Sequence, residues 1–183
     1  MKLNIASKIT IVRICLIPLF VASYYLCPGV WKLVVPTALF VIASVTDWVD
    51  GYLARSRNEV TNFGKFMDPI ADKLLVAAAF VLLVGDGRMS AVSCIIILSR
   101  EFIISGFRLI AADNHVVLAA SWLGKIKTTT QIIAIILLLV DNFPFSYLGV
   151  PVHHIMEWVA VFFTIWSGVD YIVKNRSVLM DKE

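Results

Sequence analysis

Four aspartates within one short stretch of the chain have the residue type and the spacing of a metal-binding site. Asp47 and Asp50 are three residues apart, and the second pair, Asp68 and Asp72, is four apart. On a helix, either spacing places both carboxylates on one face. Four carboxylates close together in a medium of low dielectric need cations to stay ionised, and all-oxygen ligation selects hard divalent ions. The pattern therefore predicts two Mg²⁺ or Mn²⁺ ions, an arrangement that clamps a phosphate during in-line displacement.

Small residues accompany the aspartates at helical spacing. Gly51, Ala54 and Arg55 continue the helix face of the first aspartate pair, and Gly64 lies one turn before the second pair. With so little side chain at the glycines and the alanine, a phosphorylated ligand can approach the helix backbone beside the metals. Close packing between helices is the alternative interpretation of such small residues. Their register with four aspartates favours the ligand.

Apolar helices must position these residues. The chain of 183 residues is 60% apolar and 16% charged, with a mean hydropathy of +0.86. A soluble fold of this size could not bury so much apolar side chain. Six apolar segments are each about 18–23 residues long, close to what a hydrocarbon core of about 30 Å requires. The sequence predicts an all-α integral membrane bundle of six transmembrane helices, at approximately 11–30, 33–55, 68–85, 89–112, 125–141 and 152–173.

The distribution of basic residues predicts the orientation of this bundle. Of the 16 Lys and Arg, only Lys32 and Arg88 lie in the loops on one side, and the rest lie at the two termini and in the two charged loops. The positive-inside rule then places both termini and both charged loops in the cytoplasm. We expect one membrane domain over 1–183, with a short interfacial segment at 1–10. The net charge of +3 is too small to suggest nucleic-acid binding.

Several charged residues lie inside the predicted spans, where charge is costly. The aspartates occupy the cytoplasmic ends of the second and third segments, and Arg100 and Glu101 lie midway along the fourth. Long basic side chains near a helix end can reach the interface, but a short aspartate cannot. A polar cavity that opens to the cytoplasm explains these positions better than a set of interfacial residues.

The stretch from Asp47 to Asp72 resembles the signature of a known family. It fits DxxDGxxARx8GxxxDxxxD with every fixed position filled, a pattern typical of the CDP-alcohol phosphatidyltransferases. The resemblance extends to most of the chain, through Ser99–Phe102, Ser105–Leu109 and Gly124–Thr128 with Gln131. In a similar N-terminal motif, Ser7 stands where the family usually has Asn.

The resemblance implies a homodimeric, multi-pass enzyme of the cell membrane with its active site facing the cytoplasm. Such an enzyme transfers the phosphatidyl group of CDP-diacylglycerol, and the chain looks most like the members whose acceptor is sn-glycerol 3-phosphate. By position, Asp47, Asp50 and Asp68 would bind the metals, while Asp72 would be both a ligand and the general base. The residues that would bind CDP-diacylglycerol are Gly51, Ala54, Arg55 and Gly64.

An acceptor that already carries a phosphate needs a second cationic patch. Arg100 and Arg108 are eight residues apart, close to one helix face, and Lys125 and Lys127 begin the next segment. Arginine forks suit phosphate oxygens, and lysine adds a point charge. We expect these four residues to bind glycerol 3-phosphate. Ordinary charges at the flank of a helix are the alternative interpretation, which has most weight for Lys127.

Two alternatives remain from the sequence. Within the family, inositol phosphate, serine or phosphatidylglycerol could be the acceptor, since two of these also carry a phosphate. From a different class, a divalent-cation transporter could line a pore with the same carboxylates. The acids, however, crowd one membrane face, and the outer parts of the helices, such as 31–45 and 76–84, carry almost no polar path. This distribution favours the enzyme.

Overall fold

The computed structural model describes the backbone of residues 5–57, 62–113, 118 and 121–176. Within these ranges, the side chains at 5–10, 47–57, 62–69, 72 and 113 lie outside the described residues. The described chain is helical throughout and contains no strand, which confirms the all-α class. Its helices are α1 (Ile5–Leu26), α2 (Trp31–Arg57), α3 (Asn62–Gly85), α4 (Ala91–Asp113), α5 (Trp122–Leu139) and α6 (Val152–Lys174).

The helices begin and end close to the predicted segments, with differences in α1 and α3. Helix α1 includes residues 5–10 of the expected interfacial segment and ends at Leu26, before the expected 30, and α3 begins at Asn62, before the expected 68. Backbone hydrogen bonding continues through polar residues, whereas hydropathy marks only the apolar part of a helix. Between α5 and α6, Phe145–Leu148 form one turn of 3-10 helix.

Turn residues end the helices where the sequence predicts breaks. After α1, Pro28 cannot continue a helix, and Gly29 adopts a φ of 56° that suits glycine. Before α6, Asn142 has a φ of 63° and is buried. Its Nδ2 donates to Val150 O (2.8 Å), and its Oδ1 accepts from the backbone N of His153 (3.1 Å). Asn142 thus satisfies a free N–H at the start of α6.

The chain divides into two compact units. The first comprises residues 1–83 with 139–141, and in it α1 packs against α2. Phe20 and Phe40 are fully buried, with ring centroids 6.1 Å apart, and the buried Tyr24 ring lies under the Lys32 ammonium at 5.1 Å. The buried residues of α3 repeat at helical spacing: Ala71, Leu75, Ala79, Phe80, Leu82 and Leu83.

The second unit comprises residues 84–138 with 142–183, and in it α4 packs against α6. The buried face of α6 is unusually small and polar for an apolar helix: Glu157, Ala160, Val161, Thr164, Ser167, Gly168 and Tyr171. Small residues allow two helices to approach closely, and hydroxyls can bond between them. Large apolar residues on α6, such as Phe162 and Trp166, are exposed and suit contact with lipid.

Two helices of the described chain are long and apolar enough to cross a bilayer, namely α5 and α6. The apolar parts of the first three helices are shorter, at Ile11–Leu26, Trp31–Thr46 and Lys73–Gly85. In α4, Arg100 and Glu101 interrupt the apolar sequence. These lengths indicate association with a membrane, as the composition predicts.

A buried carboxylate joins α6 to the start of α4. Glu157 is 1% exposed, and its Oε1 accepts a hydrogen bond from the backbone N of Ser90 (3.0 Å). Its Oε2 lies 3.2 Å from Nδ1 of His154, and Ser90 Oγ accepts from Val92 N (3.2 Å). A negative charge is favourable at a helix N-terminus, where backbone donors lack partners within the helix.

We predict that Glu157→Ala lowers the free energy of unfolding by about 1–3 kcal/mol, because a buried donor loses its acceptor. Asp170→Ala is the control, since Asp170 pairs with a Lys174 side chain that is 68% exposed, and such pairs contribute less than about 1 kcal/mol. Thermal unfolding of the detergent-solubilised protein measures both. Equal losses would contradict the role given to Glu157.

Candidate functional site

The four aspartates lie on the two helices that their spacing predicts. Asp47 and Asp50 belong to the C-terminal half of α2, and Asp68 and Asp72 belong to the first half of α3. A helical backbone gives the two members of each pair a common face. Their side chains lie outside the described residues, as do those of the predicted donor-binding residues Gly51, Ala54, Arg55 and Gly64. The two-metal site therefore stays a prediction. Among the side chains that are described, no three His, Cys, Asp or Glu lie close enough to hold a metal.

The four predicted acceptor-binding residues belong to the second unit and divide by exposure. Arg108 on α4 and Lys125 on α5 are exposed. Lys127 is only 5% exposed, and the side chain of Arg100 is 14% exposed. The sequence predicts that these four residues form one cationic patch. The structure separates two accessible cations from two that protein atoms largely enclose.

Glu101 is the partner of both enclosed cations. Its Oε1 accepts hydrogen bonds from Lys127 Nζ and, at 3.5 Å, from Arg100 Nη1. Two cations therefore share one carboxylate. A charge removed from water is tolerated when an opposite charge and hydrogen bonds compensate it, so this pairing explains how Lys127 can be buried.

Hydroxyl groups on α6 complete the surroundings of Arg100. Its Nη2 donates to Ser167 Oγ (3.1 Å), and Ser167 in turn donates to Thr164 O (3.1 Å). From α5, Gln131 Nε2 donates to Thr164 Oγ1 (3.0 Å). Gln131, Thr164 and Ser167 are all buried. Buried hydrogen bonds thus connect α6 to both α4 and α5.

Gly168 provides the space that Arg100 occupies. A Cβ added at Gly168 would lie 3.1 Å from Arg100 Cγ and 3.7 Å from its Nε. The first distance is tighter than ordinary van der Waals contact, so any larger residue here must displace the arginine side chain. Gly168 and Ser167 are adjacent in the sequence, and together they provide the gap and the hydrogen bond.

Tyr171, one turn further along α6, contacts the second arginine. Arg108 Nε donates to the Tyr171 hydroxyl (3.0 Å), and the guanidinium carbon lies 5.4 Å from the ring centroid. Tyr171 is itself 2% exposed and meets Phe107 edge to face, at 6.0 Å between ring centroids. This fixed tyrosine supports the inner side of Arg108, while the exposed part of the guanidinium stays accessible to an anion.

Lys125 lies in the first turn of α5 and is exposed. Ser121 begins this helix, because its Oγ accepts from the backbone N of Gly124 (3.0 Å). The Lys125 Nζ lies 5.6 Å from the centroid of the Trp122 ring. A compact ammonium group on a flexible stem at this position can meet a phosphate as a point charge.

The α6 residues are those that the sequence reasoning missed. The motifs that resemble the family end at Gln131, and the sequence of α6 resembles an ordinary apolar span. A signal was nevertheless available: Thr164, Ser167, Gly168 and Tyr171 occupy positions i, i+3, i+4 and i+7. Small and polar residues on one face of an apolar helix indicate contact with protein and not with lipid.

Comparison with known proteins agrees with the sequence signature. Residues 3–166 match the family model of the CDP-alcohol phosphatidyltransferases. The chain is 49% identical, over 96% of its length and 97% of the relative's, to the CDP-diacylglycerol–glycerol-3-phosphate 3-phosphatidyltransferase of Bacillus subtilis (strain 168). Proteins of the same name from Salmonella paratyphi A and Escherichia coli (strain K12) are 40% and 39% identical, over the full length of both chains.

Proposed function

The chain belongs to the CDP-alcohol phosphatidyltransferase family, and from this premise we propose that it transfers the phosphatidyl group of CDP-diacylglycerol to sn-glycerol 3-phosphate. The products are phosphatidylglycerophosphate and CMP, so the protein is a transferase of phosphatidylglycerol biosynthesis. One observation carries the choice of acceptor: full-length similarity to relatives that are named for this reaction. The signature that extends from Asp47 to Asp72 independently supports the reaction class.

A panel of acceptors tests this function directly. Purified protein in detergent is given labelled CDP-diacylglycerol with glycerol 3-phosphate, inositol phosphate, serine or phosphatidylglycerol. We expect label in phosphatidylglycerophosphate with the first acceptor, and stoichiometric release of CMP. Efficient transfer to another member of the panel, without transfer to glycerol 3-phosphate, would overturn the proposed acceptor.

The donor set of the signature fits two divalent cations. Asp47, Asp50, Asp68 and Asp72 offer only carboxylate oxygens, which hard cations such as Mg²⁺ and Mn²⁺ prefer. The helical backbone of α2 and α3 gives each pair a common face. When bound, such cations neutralise the pyrophosphate of the donor and stabilise the charge of departing CMP. The small residues Gly51, Ala54 and Gly64 leave room for CDP-diacylglycerol, and Arg55 adds a positive charge.

Asp72 is the proposed general base. The acceptor hydroxyl oxygen attacks the phosphorus of the phosphatidyl group, a new P–O bond forms, and the P–O bond to CMP breaks. The hydroxyl proton must leave as this occurs, and a carboxylate within hydrogen-bond reach can take it. Asp72 comes one helical turn after Asp68, so it can serve the same reaction while Asp68 serves chiefly as a ligand.

The phosphate of glycerol 3-phosphate is the proposed ligand of the basic residues. Arg108 and Lys125 are accessible and would contact it directly. Arg100 and Lys127, which are enclosed, add positive charge that Glu101 neutralises only in part. Arginine provides directed hydrogen bonds and lysine provides a mobile point charge, a combination that suits a phosphate monoester.

The proposed arrangement in the membrane follows the sequence. Six spans, with both termini and both charged loops in the cytoplasm, are supported by the helix boundaries and by the uneven distribution of Lys and Arg. The active site then faces the cytoplasm, where soluble glycerol 3-phosphate is available. We further propose a homodimer, as in the family that the sequence resembles.

We predict that activity is lost in EDTA and returns with Mg²⁺ or Mn²⁺, because the aspartates need cations to bind the donor. Asp47→Asn should lower kcat/KM by about 10²–10³-fold, the scale of losing a key electrostatic group. The thermal melting curve checks that the variant is still folded. Full turnover after stripping with a chelator would contradict the metal site.

We predict that Arg108→Ala and Lys125→Ala each raise the KM for glycerol 3-phosphate about tenfold, the scale expected when a charged hydrogen bond is lost. The KM for CDP-diacylglycerol should change less. Thr129→Ala is the matched control, since its hydroxyl is exposed and bonds to Lys125 O in its own helix (3.1 Å). A larger change in the KM of the lipid substrate would assign these cations to the donor instead.

We predict that Asp72→Asn abolishes transfer but spares binding of CDP-diacylglycerol, because it removes the base and only one of four ligands. Asp68→Asn should weaken both. Equilibrium binding of CDP-diacylglycerol in the presence of Mg²⁺, measured on the two variants, makes the comparison. Equal loss of binding would make Asp72 chiefly a ligand, and the proton would then leave through another group.

A further inference from the structure

We propose that Glu101, Ser167 and Gly168 position the guanidinium of Arg100 for the phosphate of the acceptor. This inference rests on the proposed function, because it assigns a task to residues that surround the proposed acceptor site. Arginine has several rotatable bonds, so its positive charge stays at one place beside the acceptor only when partners hold the guanidinium there. Residues of α4 and α6 bond to both terminal nitrogens of the Arg100 guanidinium.

The two terminal nitrogens of the Arg100 guanidinium have different partners. Nη1 of Arg100 bonds to the Glu101 carboxylate at 3.5 Å, and Nη2 bonds to the Ser167 hydroxyl at 3.1 Å. The first partner is on the same helix and the second is on α6, 67 residues away along the chain. Two bonds at opposite ends of the group restrict its movement.

The presence of Glu101 itself indicates support and not substrate binding. A carboxylate repels a phosphate, so it lowers the affinity of an anion site unless it is needed to hold the cations there. Glu101 is paired with Arg100 and with Lys127, the more deeply buried of the two. Without Glu101, both cations would lose the carboxylate that they share.

Gly168 makes the geometry sensitive to one methyl group. Because an added Cβ would lie 3.1 Å from Arg100 Cγ, Gly168→Ala should shift the side chain without removing any polar group. The substitution favours the helix itself, since alanine has the higher helix propensity. Gly106→Ala in α4 is the matched control, because an added Cβ there meets no atom within 4 Å.

The test compares Glu101→Gln, Ser167→Ala and Gly168→Ala with the Gly106→Ala control. We expect each of the three to raise the KM for glycerol 3-phosphate about tenfold, with little change in the KM for CDP-diacylglycerol. In an Arg100→Ala background, Ser167→Ala and Gly168→Ala should have almost no further effect, because both act through Arg100.

The outcomes separate this inference from the proposed function. If Arg100→Ala raises the acceptor KM but Ser167→Ala stays within about twofold of the parent, the positioning role is wrong and the acceptor site stands. Further losses in the Arg100→Ala background would also overturn the positioning role. If the parent protein does not use glycerol 3-phosphate, the function itself is wrong. Melting curves monitor folding, and Ser167→Ala carries the test if Gly168→Ala does not fold.

Discussion

Charge inside an apolar helix bundle must meet an opposite charge, a bound ion or backbone donors, and this constraint organises the described structure. Lys127 is buried because Glu101 accompanies it, and Glu157 is buried because the first turn of α4 provides it with an N–H group. The same rule makes the four aspartates informative. Basic residues lie in the same stretch of sequence, but carboxylates at one-face spacing are the ligands that hard divalent cations prefer, which supports the proposed metal site.

Helix α6 carries most of the specificity of the second unit without carrying any of the family signature. Its polar face provides the hydroxyl that bonds to Arg100, the gap beside it, and the phenol that supports Arg108. Its opposite face is apolar and exposed. A single helix therefore presents apolar side chains that suit lipid on one side and contacts the proposed acceptor-binding residues on the other.

The sequence predicted the helices well because hydropathy and turn residues are local signals. Gly29 and Asn142 mark turns at their own positions, and the spacing of the aspartates places each pair on one helix, as α2 and α3 show. The burial of Lys127 was not predictable in this way, because adjacent positions do not indicate which neighbour a side chain meets. Nor was the bond between Arg100 and Ser167, which depends on how α4 and α6 pack. Pairings between distant segments are set by tertiary packing, and no local pattern encodes them.

The bond between Glu157 and the start of α4 has a consequence for biosynthesis. The ribosome makes α4 first, and Glu157 follows Ser90 by 67 residues. Until α6 has been made, the backbone N–H of Ser90 lacks its carboxylate acceptor, and Arg100 lacks its hydroxyl partner. Helix α6 is thus needed for the polar contacts at two places on α4, at its start and at Arg100. A chain that is truncated before α6 lacks both contacts.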